Sequence, residues 1–177
     1  NVLAVFDVQD LPTHGGSLRV FAQRSDAAAP RPTEPAVAAL LAREAEAGMC
    51  STHFYADFQL QALRIKRELL SFLIDAQARG RKVAAYGAAA KGNTLLNFAG
   101  VRPDLLPYVV DKNPAKQGKF LPGSRIPIVD ETHLRADRPD VVLILPWNLK
   151  DEVTAQLAYV RDWGGRLAVA VPGWREL

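Results

Sequence analysis

The chain has 177 residues, 49% of them hydrophobic, with 22 Lys and Arg against 19 Asp and Glu for a net charge of +3. That length holds one full domain with room for an appendage, and so mild a charge does not by itself argue for nucleic acid. The single cysteine, Cys50, excludes an internal disulfide and a cysteine-rich zinc site and fits a reduced, cytoplasmic setting. His14, His53 and His133 show no metal-ligand spacing. No apolar stretch reaches the roughly 20 residues that a membrane span needs, and no signal-peptide pattern opens the chain. It begins at Asn1, without Met, straight into a strand-like run, which suggests a piece of a longer protein with its N-terminus upstream.

Residues 1–24 hold two extended runs, Leu3–Val8 and Ser17–Gln23. Pro12, Gly15 and Gly16 lie between them, the composition of a hairpin with a wide loop. A lone hairpin is marginal in water and needs a partner surface. Ser25–Pro35, rich in Ala and Pro, reads as a linker. Glu34–Ala47 predicts an alanine-rich helix ended by Gly48. A longer helix over 53–79 follows, with Ser51 or Thr52 as N-cap and Gly80 at its end. Its stripe of Tyr55, Phe58, Ala62, Ile65, Leu69, Phe72 and Ala76 packs across a domain or between two copies of the chain.

From Arg81 onward strands alternate with helices. Val83–Tyr86, Tyr108–Val110, Ile126–Val129, Val141–Leu145 and Leu167–Val171 read as strands. Lys91–Ala99, Glu131–Ala136 and Leu149–Trp163 read as helices, the last with Asn148 as N-cap and Gly164–Gly165 closing it. Unbroken β-branched runs separated by helices imply a parallel sheet covered on both faces. The expected class is therefore α/β: a Rossmann-like, doubly wound, mostly parallel sheet, preceded by a β-hairpin and two helices. The division predicted is a hairpin over 1–24, a linker and helical segment over 25–80, and the Rossmann-like domain over 81–177.

In such sheets ligands bind beyond the carboxyl ends of the strands, which directs attention to Gly87–Thr94, Asp111–Lys119 and Pro146–Lys150. The first loop is not a P-loop, because Lys91 precedes Gly92 rather than following it. Gly87, Ala89 and Gly92 occupy the G-x-G-x-x-G frame, with Ala89 at the second glycine, where a pyrophosphate would need close approach. Lys91 can instead bring charge to the helix N-terminus. Asp111 ends the next strand 24 residues after Gly87, where dinucleotide enzymes carry an acid for a ribose hydroxyl. Six Lys and Arg (91, 102, 112, 116, 119, 125) fall between 91 and 125 against Asp104 and Asp111. They form either a solvated face or a site for an anion. Lys116 and Lys119 flank Gly118 in a loop able to close over phosphates. Trp147 follows a strand directly and either stacks on a base or sugar or packs under the next helix. His14 lies in the Gly-rich hairpin loop. No Ser–His–Asp order, paired carboxylates or metal motif emerges.

Four ordered segments resemble one family. They are LPTHGGSLRVFAQ (Leu11–Gln23), YGAAAKGNTLLN (Tyr86–Asn97), VVDKNPAKQGKFLPGSRIPI (Val109–Ile128) and LILPWNLKDEV (Leu143–Val153). Together they resemble the C-terminal part of S-adenosylmethionine-dependent sugar C-methyltransferases, which methylate a carbon of nucleotide-linked deoxysugars. The resemblance covers essentially the whole chain. It implies an upstream zinc module and a methyltransferase domain, of which residues 1–24 would be the closing hairpin. It further implies that S-adenosylmethionine binds outside this chain, with no cofactor within it, and that this part helps to hold a nucleoside-diphosphate sugar. Lys91, Asn93 and Thr94 would contact phosphate or sugar. Gly87, Asp111, Lys116, Trp147 and Asn148 would shape the rest, and His14 would face the sugar at the domain junction. The zinc cysteines, the methyl-donor loop and the acid/base His and Tyr of the family have no counterpart here, so methyl transfer by these residues alone is not expected. Two other readings stay open: an NAD- or CoA-binding regulatory module, and a scaffold dimerising through the 53–79 helix.

Overall fold

The computed structural model describes residues 2–177, the side chain of His14 excepted, and the chain divides into two compact units that meet in sequence at Gln59 and Leu60.

In the first unit β1 (Leu3–Leu11) and β2 (Ser17–Arg24) form an antiparallel hairpin, in register from Leu3 opposite Arg24 to Leu11 opposite Ser17, with an irregularity between Val5 and Asp7. The wide loop contains a single 3₁₀ turn, Thr13–Gly15. Two strands alone bury little. The hairpin takes its support from α1 (Pro35–Glu46), which begins with Pro in its first turn, where a missing N–H costs nothing. The Glu34 N–H donates to Phe6 O at 2.7 Å, and Arg43 pairs with Asp10 at 2.8 Å. No residue of α1 is buried.

The second unit carries the expected α/β sheet. Its strands are β3 (Val83–Tyr86), β4 (Val109–Val110), β5 (Ile128–Val129), β6 (Val141–Ile144), β7 (Arg166–Val169) and β8 (Arg175–Glu176). Their spatial order is β5-β4-β3-β6-β7-β8, all parallel except β8. Side chains alternate across the sheet. Val83, Ala85, Val109, Val141 and Leu143 face a core built with α2 (Phe58–Ala78) and α3 (Ala90–Ala99). Ala84, Tyr86, Val110, Val142 and Ile144 face a second core built with α4 (Glu131–Asp137) and α5 (Lys150–Gln156). The central strands β3 and β6 are buried along their whole length, which is why their sequences read as unbroken apolar runs.

Several details differ from the sequence-based expectation. The long helix starts at Phe58 rather than at residue 53, because Thr52–Tyr55 is spent as a 3₁₀ turn. Ser51 precedes that turn without capping it, since its hydroxyl donates to Gly48 O at 3.1 Å. Of the helix's apolar stripe, Leu69 and Ala76 are fully buried within the sheet domain and Phe72 stacks on Trp174 at 3.7 Å, whereas Tyr55 and Phe58 are exposed. Asn148 does not cap a helix. It lies within a 3₁₀ turn, Trp147–Leu149, and Leu149 takes the cap position of α5 without a side-chain bond.

The helix expected to run to Trp163 breaks at Leu157, after which Ala158–Trp163 continues as 3₁₀. The tighter winding aligns residues three apart and brings both Leu157 and Val160 to full burial. The two-residue antiparallel β8 carries no apolar pattern that sequence could flag. Among the described residues no helix is long and apolar enough to cross a membrane, and no group of His, Cys, Asp and Glu could hold a metal ion.

Candidate functional site

The chain leaves β3 through α3 towards β4 on one side and returns through β6 on the other, so the strand order reverses between β3 and β6. A doubly wound sheet opens its ligand crevice at the carboxyl ends of two such strands. Gly87 makes the turn off β3. Its φ is 89°, and a Cβ there would come within 2.6 Å of Pro146 Cδ, so both backbone conformation and space demand glycine. Gly92 then lets α3 settle against β6, since an added Cβ would meet Leu145 Cβ at 2.6 Å. The N-terminus of α3 thereby reaches the crevice. Its cap residue, Ala89, supplies no side-chain acceptor for the helix's first N–H groups, which have no partner inside the helix.

Lys91, in the first turn of α3, spans this crevice. Its Nζ donates to Asn148 Oδ1 at 2.8 Å and lies 5.5 Å from the centre of the Trp147 ring. Residues from the ends of both central strands thus converge on one cation whose two partners are neutral. Lys91 is exposed, and Trp147 and Asn148 are half-buried.

Beside the crevice, the loop after β4 is tied to the turn after β3. Asp111, 9% exposed, accepts from the Ala88 N–H (2.8 Å) and Lys116 Nζ (3.1 Å) through Oδ2, and from the Asn113 N–H (2.9 Å) through Oδ1. Lys116 Nζ also donates to Ala88 O at 3.0 Å, and Gln117 Nε2 to Asp111 O at 2.8 Å.

Two sequence-predicted residues turn away from Lys91 to local partners. Thr94 Oγ1 donates to Ala90 O within its own helix at 3.1 Å. Asn93 Oδ1 accepts from Asn97 Nδ2 at 3.1 Å, and Asn97 Nδ2 also reaches Pro122 O at 2.9 Å, tying α3 to the loop before Ile126. The prediction for His14 falls on a side chain outside the described residues.

The model of the C-methyltransferase C-terminal domain family matches residues 12–172. The chain belongs to this family. It is also 36% identical over 170 residues to the C-methyltransferase NovU of Streptomyces niveus, an alignment covering 96% of this chain and 40% of that protein. The chain thus spans well under half the length of that curated relative.

Within this C-methyltransferase C-terminal domain, Lys91, Trp147 and Asn148 form one cluster, and Gly87, Asp111 and Lys116 form the framework next to it. Sequence reasoning passed over Ala88, Gln117 and Asn97, which are joined to the site by backbone groups or side-chain amides. The only signal for Ala88 and Gln117 was their position in loops at strand ends, and Asn97, inside α3, carried none.

Proposed function

We propose that this domain holds the nucleoside-diphosphate part of a nucleotide-linked deoxysugar for an S-adenosylmethionine-dependent sugar C-methyltransferase. The observation that carries the reading is Lys91 at the reversal of strand order, with neutral partners and the uncapped start of α3 beside it. A diphosphate supplies the anionic oxygens that such a cation and helix end attract. Trp147 offers an aromatic surface beside the same crevice for a base or sugar ring.

The methyl donor belongs elsewhere in the full-length enzyme. The acid at the end of β4, where ribose hydroxyls would be gripped, has its carboxylate engaged by three donors of its own chain. The 177 residues on their own therefore bind the nucleotide-sugar without transferring a methyl group and act together with a methyltransferase domain.

Calorimetry with thymidine diphosphate, NAD and S-adenosylmethionine tests this. Binding of the diphosphate alone is expected, and Lys91→Ala should weaken it by about 1–3 kcal/mol. Tight binding of NAD would replace the proposal with a dinucleotide-binding regulatory module. Unchanged affinity in Lys91→Ala would remove Lys91 from the site.

A further inference from the structure

We infer that Asp111 and Lys116 are positioning residues: together they form a clasp that presets the turn facing the diphosphate and withdraws the acid from ribose recognition. The inference rests on the nucleotide reading above and assigns these two residues a task different from ligand contact.

Both backbone polar groups of Ala88 are held by this one pair. The N–H donates to Asp111 Oδ2 at 2.8 Å, and the carbonyl accepts from Lys116 Nζ at 3.0 Å. Ala88 lies between Gly87, whose φ is 89°, and Ala89, which precedes the first residue of α3. Fixing its peptide groups therefore fixes the direction in which α3 starts. The clasp is held at its other end as well, because Gln117 Nε2 donates to Asp111 O and the Gly87 N–H donates to Val110 O. Binding a ligand to a turn already in place spares the entropy of ordering it.

Charge and lone pairs divide the labour. A carboxylate has about four acceptor sites, and Asp111 has three donors at 9% exposure. A bidentate grip on a ribose diol would have to evict one of them. Lys116 meets a carboxylate at 3.1 Å, so its charge is balanced within the protein. Among the described residues no carboxylate pairs with Lys91, which leaves that cation to answer the ligand's charge. An acid at the sequence position of a dinucleotide acid is thus spent on holding the turn rather than on a ribose.

The test uses Asp111→Asn and Lys116→Met in the 177-residue chain, with two readouts. The first is hydrogen exchange of the Ala88 amide followed by NMR, expected to speed up about tenfold or more in Asp111→Asn and to rise in Lys116→Met. The second is calorimetry with uridine diphosphate and its 2′-deoxy counterpart at several salt concentrations. Both variants should weaken both ligands by the same factor, and the charge-neutral double variant Asp111→Asn/Lys116→Met should leave the salt dependence unchanged.

A loss confined to the ribonucleotide in Asp111→Asn would show the carboxylate on the ribose and overturn the inference. A shallower salt dependence in the double variant would place Lys116 on phosphate and do the same. If the parent chain binds neither nucleotide, the functional proposal fails, while Ala88 exchange still judges the clasp. Unchanged exchange in both variants would refute it. Should Asp111→Asn not fold, Lys116→Met alone decides.

Discussion

Replacing Gly92 by alanine sets two effects of opposite sign against each other. Alanine is the better helix former, by up to about 1 kcal/mol over glycine, so a reading confined to α3 expects stabilisation. The structure places the new Cβ 2.6 Å from Leu145 Cβ and 3.2 Å from its Cγ and Cδ1. Carbon atoms in contact prefer about 3.5–4.0 Å. Relief therefore requires the start of α3 to withdraw from β6 by roughly 1 Å, and overpacking of this kind costs about 1–3 kcal/mol. The balance is a net loss of up to about 2 kcal/mol, or a fall of up to roughly 8 °C in Tm for a chain of this size.

The same withdrawal displaces the backbone from which Lys91 reaches Asn148 at 2.8 Å. Gly92→Ala should therefore lose diphosphate affinity along with stability. Leu145→Ala cannot rescue it, because alanine keeps the offending Cβ. Thermal unfolding followed by circular dichroism, with calorimetry alongside, measures both effects. A variant more stable than the parent, with affinity intact, would refute the packing argument.

Two further predictions concern stability alone. Tyr108→Phe removes the 2.9 Å hydrogen bond to Asp137 Oδ2. Burial pushes that carboxyl up, but hydrogen bonds from Lys82 and Tyr108 hold it, on balance, below its ordinary range. A depressed carboxylate stabilises the fold above its unfolded pKa of about 3.9 and loses that contribution as the pH falls through its folded value. The variant should be about 1 kcal/mol weaker at pH 7 in urea unfolding, with the deficit shrinking as the pH drops below roughly 4; a deficit equal at both pH values would contradict this. Asp130 caps α4 by accepting from the His133 N–H at 3.1 Å. Asp130→Ala should therefore lower the urea midpoint, and a midpoint equal to the parent's would deny the cap.

What the sequence disclosed follows from the range of the interactions involved. The alternation of runs such as Val83–Tyr86 and Val141–Ile144 with helical stretches is a local signal, and it announced an α/β sheet wound on both faces. The crevice was legible to the extent that strand ends could be named. The pairing within it was not, because Lys91 and Asn148 are 57 residues apart and meet only once β3 and β6 lie side by side. Asn148 looked like a cap because cap residues carry such side chains, yet its oxygen serves a lysine on another element. Likewise Asp111 carried the position of a ribose ligand, and only the fold reveals that Ala88 and Asn113 present their N–H groups to it. Arg125 and Arg138 adopt φ values of 57° and 50°, backbone states that nothing in their side chains announces.

The two margins of the sheet bear on how the protein behaves in a crowded solution. A long bare strand at a margin invites pairing with another chain and so aggregation. At one end β8 is two residues long, both exposed and oppositely charged, and Glu176 is fastened to Arg166 at 2.7 Å. At the other, Ile128 of β5 exchanges backbone bonds with the chain's own loop, donating to Lys119 O at 2.8 Å and accepting from the Gly118 N–H at 2.9 Å. A stray strand meets a short charged lip on one flank and an occupied row of donors and acceptors on the other. The sheet therefore resists growth from chain to chain, and the hydrogen-bonding order that builds the crevice stops within a single molecule.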